Sequence, residues 1–299
     1  MAEAAPELHE APSLTVARQP APRQWQGRFP KTWAVRIGLI IAALMFMLPF
    51  YWMANSALKN VQELSSFPPT LWPHTPEWSN FVRAVTYIPF GTFLLNSLIL
   101  TAGVTIGAAI SNPLIAYGFS RIEWPGRDFM FGVVLATIFL PFPVLIVALF
   151  DIFAKLHWID TFLPIIVPAF FGNPFFIFLM RQYFLGLPRE ISEQARIDGA
   201  NELTVFYRII LPLAKPAIAV VIIFAAVAAW GEFLTPLLFL QDESKYPLSI
   251  GLQFYRQEHD VAYNLLMAAS TLIVLPVIAV FLAFQRFFIQ GVTVGAVKG

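Results

Sequence analysis

The chain has 299 residues, of which 58% are hydrophobic and only 12% charged, with a mean hydropathy of +0.69 and a formal net charge of +1. Soluble domains carry roughly 25% charged residues, so this balance excludes an ordinary water-soluble fold and points to lipid as the solvent. Cysteine is absent, which excludes a disulfide framework and thiol chemistry, and no nucleic-acid partner is expected.

Residues 1–33 are rich in Ala, Pro, Glu and Arg and hold no apolar run, so they read as a disordered tail. Beyond Arg36, gaps without charge mark the spans: Arg36 to Lys59, Arg83 to Arg121, Asp128 to Asp151, Asp160 to Arg181 and Asp260 to Arg286. One more gap, Lys215 to Asp242, is broken only by Glu232. Each gap holds the ~20 apolar residues that a helix needs to cross hydrocarbon. Six transmembrane helices are predicted, near 34–57, 92–117, 128–150, 160–181, 214–240 and 261–286. Uninterrupted runs of this length exclude a barrel, whose strands alternate over about ten residues. Ala54, Asn55 and Ser56 loosely mimic a signal cleavage site, but the first span exceeds the 7–15-residue signal core and reads as a retained helix. Trp52, Trp72, Trp124, Trp158 and Trp230 fall near span ends, where interfacial aromatics collect. Six spans put both termini on one side with the loops 118–127 and 182–213. That side holds 14 of the 19 Lys and Arg residues, which makes it cytoplasmic by the positive-inside rule.

The longest polar interruption, 186–212, lies between the fourth and fifth spans. Pro188 suits the first turn of a helix, where a missing N–H costs nothing. Ile191, Ala195 and Ile197 give a weak apolar stripe, with Arg189, Glu190, Glu193 and Arg196 on more polar sides. Asp198-Gly199 ends this helix, because glycine accepts a left-handed conformation that costs other residues ~1–2 kcal/mol. Asn201 can cap a second short helix whose apolar side is Val205, Phe206 and Ile209, and Pro212 marks entry into the fifth span. Two short helices at an angle make a knob suited to a groove on another protein. A basic amphipathic helix lying on anionic lipid fits the same residues, and side-chain chemistry alone leaves both readings open.

The spacing E-x-A-x₃-G-x₉-I-x-L-P, filled by Glu193, Ala195, Gly199, Ile209, Leu211 and Pro212, resembles the signature cytoplasmic loop of binding-protein-dependent ABC importers. Gln194 departs from it, where the family most often has a second alanine. PLIAYGFSRIEWPGRD (113–128) is similar to that family's second cytoplasmic turn. AWGEF (229–233) resembles its A-W-N-E-F, with Gly231 in place of asparagine; KYPLSIGL (245–252) and QRFFIQGVTVGAVKG (285–299) are similar to its outer-loop and C-terminal segments. Over 34–299 the chain resembles carbohydrate ABC importer permeases of the MalG type. The resemblance implies an all-α integral membrane protein with the type I importer permease fold, a permease domain over 34–290 and coupling helices in 186–212. It implies an ATPase-docking surface at Glu193, Ala195, Asp198, Gly199, Ala200, Ile209, Leu211 and Pro212. The implied partners are a homologous second permease, two ATPase subunits, an extracytoplasmic substrate-binding protein and a carbohydrate. The implied home is the cytoplasmic membrane of a bacterium or archaeon. Tyr246, Phe254 and Tyr255 in the loop 241–260 would then meet the binding protein, and the tail 291–299 would reach the ATPases as a strand or hook.

Glu232 is the one ionisable residue inside a predicted span, where a charge costs roughly 2.5–3.5 kcal/mol unless it meets a cavity or partner. It is read either as lining the transport path or contacting the partner permease, with Trp230, Asn96 and Asn112 as further path candidates, or as a protonated or hydrogen-bonded structural glutamate. The asparagines also fit interhelical hydrogen bonding. Pro164, Pro168, Gly172 and Pro174 make the fourth span irregular. No Gly-Lys dipeptide occurs, so a Walker A loop is excluded and the chain is not expected to be an enzyme. ATP and Mg are expected on the partner ATPase, with no cofactor on this chain. His9, His74, His157 and His259 lack ligand spacing, and no metal site is expected. Two rivals remain: a glycerol-phosphate or polyol importer of the same class, and a self-sufficient secondary transporter, which would need ionisable relays in the membrane.

Overall fold

The computed structural model describes residues 33–256 and 262–296, which are mostly helical, with no β-strand among them. Two compact units are present, Met1–Leu48 and Pro49–Gly299. In the first, the described residues open helix α1 (Trp33–Ala57), with the Arg36 guanidinium 5.7 Å from the Trp33 ring centre.

The second unit continues through the short helices α2 (Val61–Leu64) and α3 (Ser79–Tyr87) to α4 (Phe90–Ser120). It then runs through α5 (Arg127–Ala136), α6 (Phe142–Lys155), α7 (Leu163–Ile166), α8 (Pro174–Leu185), α9 (Glu190–Ile197), α10 (Glu202–Val205) and α11 (Leu211–Leu213). The last elements are α12 (Lys215–Gly231), α13 (Leu234–Phe239), α14 (Leu248–Gly251) and α15 (Tyr263–Ala296). Among the described residues, four helical stretches are long and apolar enough to cross a membrane: Val35–Ala57, Phe90–Ser120, Leu163–Leu185 and Tyr263–Gln285. Two further helix pairs, each sharply bent, would bring the number among the described residues to six if each pair forms one span.

The bends depart from the uninterrupted spans expected at 128–150 and 214–240. Arg127–Phe139 and Phe142–Lys155 meet at 102°. Leu140 precedes Pro141, and a residue before proline is pushed out of the helical region; its ψ is 111°. Near 214, Glu202–Leu213 meets α12 at 78°, so the fifth stretch begins at a sharp corner. It then breaks at Glu232, which is extended at φ −65°, ψ 124°, before α13 resumes. The fourth stretch is irregular where its prolines fall. A tight turn over Val167–Phe171 ends at Gly172, whose φ is +90° and whose missing Cβ would lie 2.6 Å from Ile115. A side chain there would be strained by the positive φ and would have to displace the Ile115 methyl. At the C-terminal end, α15 continues to Ala296, so residues 291–296 extend the last helix instead of forming the expected strand or hook, and 297–299 lie outside the described residues. The tail expected over 1–33 also lies outside them except for Trp33.

Helix α4 is the axis of packing, against α12 on one side and α8 with the 167–171 turn on another. One apolar cluster gathers at its C-terminal end around Tyr117, Phe184, Phe206 and Ile210. A second gathers at its N-terminal end around Phe93, Leu248, Tyr255 and Leu265. Outside these clusters large apolar side chains stand bare, among them Phe46 at 79%, Phe139 at 86% and Val147 at 79% exposure. Apolar exposure on this scale fits a lipid-facing surface. Within lipid, close packing and hydrogen bonds hold helices together, because the tails are as apolar as leucine.

Candidate docking knob and transport cavity

The polar interruption folds into two short helices at a corner. Helix α9 starts at Glu190, just after Pro188, and ends at Ile197. Gly199 takes φ +85°, with its N–H donating to Arg196 O at 3.0 Å and the Ala200 N–H to Ala195 O at 2.9 Å. Asn201 caps α10 by accepting from the Thr204 N–H at 2.9 Å. The Arg196 Nε donates to Glu202 Oε1 at 2.6 Å, which joins the two helices, and the Tyr117 hydroxyl donates to Glu202 Oε2 at 2.6 Å. These two donors, Arg196 first, hold the Glu202 carboxyl below its ordinary range, and the same contact raises Arg196. Arg121 donates from Nη2 to Phe184 O at 2.6 Å and Leu187 O at 2.7 Å, and from Nη1 to Pro188 O at 3.3 Å. Burial lowers its pKa.

The expected docking residues divide in two. Glu193, Asp198, Gly199 and Pro212 are exposed, whereas Ala195, Ala200, Ile209 and Leu211 pack against the apolar cluster and shape the knob from within. Exposed apolar side chains add a feature that the sequence reading did not assign to docking: Ile197 at 85%, Leu203 at 63% and Tyr207 at 57%. Ile197 was legible only as part of a weak stripe, and nothing in the spacing separated outward from inward apolar positions. Beside the knob lies a cavity of about 410 Å³ whose lining includes Arg121, Glu123, Arg189, Ser192 and Glu193. On its wall Ser192 Oγ and Arg121 Nε are buried without a hydrogen-bond partner among the described residues.

A second cavity, of about 370 Å³, lies between α4, the 165–176 segment and the α12–α13 break. Ser97, Leu100, Val104 and Ala108 line it from α4, Asn173 and Phe176 from the α8 end, and Glu232 and Thr235 from the break. Glu232 Oε1 accepts from the Thr235 N–H at 3.0 Å and from its hydroxyl at 3.2 Å, while Glu232 O accepts from Ser249 Oγ at 2.7 Å. Glu232 is thus hydrogen-bonded to the first turn of α13 and lines this cavity. The other three path candidates have structural partners. Asn112 is fully buried, with its Nδ2 donating to Ala108 O and its Oδ1 accepting from the Asn173 N–H, both at 2.7 Å. Asn96 Nδ2 donates to Ser244 O at 2.8 Å and Tyr246 O at 3.1 Å, and Trp230 Nε1 to Ile273 O at 3.0 Å. Each stitches two segments together, and none of the three lines the cavity.

The loop after α13 is likewise more structural than expected. Tyr255 is completely buried, donates its hydroxyl to Ala84 O at 2.7 Å and stacks on Tyr87 at 5.4 Å, which leaves no surface for a binding protein. Phe254 and Tyr246 are half-buried and lie 6.3 Å apart, with Phe254 also 5.9 Å from Phe93. Residues 257–260 of this loop lie outside the described residues. What orders its first half is Asp160, in a left-handed turn at φ +61°. Its Oδ2 accepts from Lys245 Nζ at 2.5 Å, and its Oδ1 from the N–H groups of Gln241 and Asp242 at 3.0 and 2.9 Å. These bonds, Lys245 first, lower the Asp160 pKa to about 2. A depressed carboxyl stabilises the fold above its unfolded pKa of about 3.9 and loses that contribution as pH falls towards 2. The pairing is thus complete at neutral pH. Asp160→Asn keeps an oxygen for the two N–H groups but loses the charge pair. Amide hydrogen exchange should then rise at 241–246 with little change at α4, and unchanged exchange there would show the pair to be dispensable.

Residues 103–294 match the family model described as "Binding-protein-dependent transport system inner membrane component". The arabinooligosaccharides transport system permease protein AraQ of Bacillus subtilis (strain 168) is 34% identical over 89% of this chain and 95% of its own. The trehalose/maltose transport system permease protein MalG of Thermococcus litoralis is 31% identical over 88% and 95%. The sn-glycerol-3-phosphate transport system permease protein UgpE of Pectobacterium atrosepticum is 31% identical over 85% and 92%. In fold, the chain is similar to a solved structure titled as a bacterial ABC transporter involved in the import of the acidic polysaccharide alginate. The TM-score is 0.74 at 24% identity, over 85% of this chain and 95% of that one. Apolar helices, a folded signature loop and these matches converge: the chain belongs to the family of inner membrane components of binding-protein-dependent transport systems.

Proposed function

We propose that the chain is one of two permease subunits of an ATP-driven importer for a neutral carbohydrate, delivered by an external binding protein. The observation that carries the reading is the knob 190–205, a preformed polar corner with exposed Glu193 and Ile197 on a chain that lacks a Walker A loop. ATP and Mg then belong to two partner ATPases, and the chain itself catalyses nothing. Binding of ATP moves the ATPases, the knob follows, and the spans reorient around the transport path. Both termini face the cytoplasm on the 14-to-5 division of basic residues, and the knob lies on the same side. The cavity at Glu232 is this chain's share of the path.

Two relatives are named for sugars and one for glycerol phosphate, so substrate chemistry has to come from the site. The described lining of the 370 Å³ cavity holds Ser97, Asn173, Thr235 and Glu232 as polar groups and no Lys, Arg or His. A carboxylate without a cation repels a phosphate ester and suits hydroxyl groups, which favours a sugar or polyol. A secondary transporter would need a chain of ionisable groups through the membrane, and Glu232 stands alone in the predicted spans with one oxygen committed to a helix cap. Purification with a cognate ATPase, and uptake that requires ATP and the binding protein, is the expected result. Sugar uptake by this chain in vesicles free of any ATPase would overturn the reading.

A further inference from the structure

In sequence the knob hangs between α8 and α12, so force on it would be expected to enter the membrane through those two helices. Its polar anchors lie elsewhere, on the last turn of α4, some 63 to 85 residues away along the chain. Arg121, only 9% exposed, holds the three carbonyls of Phe184, Leu187 and Pro188 that lead into the knob. Phe184 O also accepts from the Leu187 N–H at 3.1 Å, and it lies at the C-terminal end of α8, where a cation is favoured. Tyr117, 3% exposed, holds Glu202 on the departing side, and Glu202 in turn holds Arg196 of α9. Ring contacts repeat the pattern: Tyr117 lies 5.1 Å from Phe206 and 6.5 Å from Phe184. A third tie runs from Arg181 Nε to Phe119 O at 3.1 Å. Both flanks of the knob are thus gripped by one turn of one helix.

That helix also reaches the transport cavity. Ser97, Leu100, Val104 and Ala108 recur at helical spacing and line the 370 Å³ space from α4. At 1.5 Å per residue they lie about 14 to 30 Å from Tyr117 along the axis. We infer that Tyr117 and Arg121 are positioning residues that clamp the docking knob to α4, so that α4 carries ATPase motion to the cavity wall. Neither residue touches nucleotide or substrate. The inference rests on the docking reading above and adds the route by which docking acts.

The absence of cysteine makes the route measurable. Val104→Cys places a single thiol on the cavity wall of this chain. In the assembled importer its rate of labelling by a maleimide is compared without nucleotide and after trapping with ATP, Mg and vanadate. Trapping should change the rate severalfold in the otherwise unaltered chain. With Tyr117→Phe, which removes one hydroxyl, that change should shrink by about fivefold or more, as loss of a coupling free energy implies. ATPase association and ATP hydrolysis should stay near their starting levels. Glu202→Gln, which also weakens the Arg196 pair, should act in the same direction, and the double variant should be no more impaired than Glu202→Gln alone, because the Tyr117–Glu202 bond is lost only once. Arg121→Ala strips a buried guanidinium and can fail to fold, so Arg121→Lys, with fewer donors, carries that half of the test and should fall between. An undiminished change in Tyr117→Phe and Arg121→Lys would overturn the clamp. So would release of the ATPase by Tyr117→Phe, which would make the residue a docking contact. Failure of the docking reading has a different signature: the unaltered chain would not retain an ATPase at all.

Discussion

Gly199→Val should leave the chain inserted in the membrane, yet abolish most ATP-driven uptake. The residue sits at φ +85° between α9 and α10. A Cβ built there would meet nothing within 4 Å, so crowding is not the cost. Backbone conformation is. A left-handed residue costs roughly 1–2 kcal/mol for an ordinary L-side chain, and a β-branched one sits at the upper end. The corner can escape that strain by rotating toward φ < 0, which swings α9 away from α10 and pulls Arg196 from Glu202. Exposed Glu193 and Ile197 move with it. Gly199→Asn is the matching control, because asparagine enters this region at lower cost and should keep most uptake. The measurement is uptake and ATP hydrolysis in reconstituted complexes, with membrane insertion checked separately. Uptake by the valine variant equal to that of the asparagine variant would show that the corner's geometry does not matter for coupling.

How far the sequence could be read follows from the range of the interactions involved. The apolar helices were legible in the gaps between charges, since crossing lipid requires about twenty apolar residues wherever they occur. The knob was legible for a local reason: Asp198-Gly199 and Asn201 write a stop and a start into neighbouring positions, and the structure places a left-handed glycine and an asparagine cap there. The bend at Leu140 was less so, although Pro141 and Pro143 stand beside it, because membrane helices often absorb a proline by other means.

Roles that depend on distant partners could not be read at all. Asn112 and Asn96 are polar residues on an apolar helix, a pattern that a pore and a helix contact share. Only the Asn173 N–H, 61 residues away, and the Ser244 carbonyl, 148 residues away, decide between them. Tyr255 sits in a polar loop and read as a surface aromatic, but Ala84 O and the Tyr87 ring take it into the interior. Glu232 shows the intermediate case. Its rarity in a span marked it as special, whereas the local break that lets it cap α13 and face a cavity at once belongs to the folded chain.

The largest expected loss of ATPase affinity comes from residues that no motif position marked. Ile197 and Leu203 flank the Gly199 corner, one ending α9 and the other in α10, and are 85% and 63% exposed. Exposed aliphatic side chains on a polar loop need a cover, and either a partner protein or interfacial lipid supplies it. In a protein interface such a central apolar anchor typically contributes 2 kcal/mol or more, about thirtyfold in affinity. A charge in its place adds the cost of burying an unpaired carboxylate. Ile197→Glu should therefore lower ATPase binding to the purified permease by at least about thirtyfold, and Leu203→Glu by a similar factor. Arg208→Ala, at an exposed polar position nearby, should change it little. Titration of detergent-solubilised permease with its ATPase reads the three values directly. If Ile197→Glu and Leu203→Glu bind the ATPase as tightly as the unaltered chain, the cover is lipid. The partition of the variants into anionic vesicles would then fall instead, and any hold on the ATPase would have to come from the knob's polar side chains.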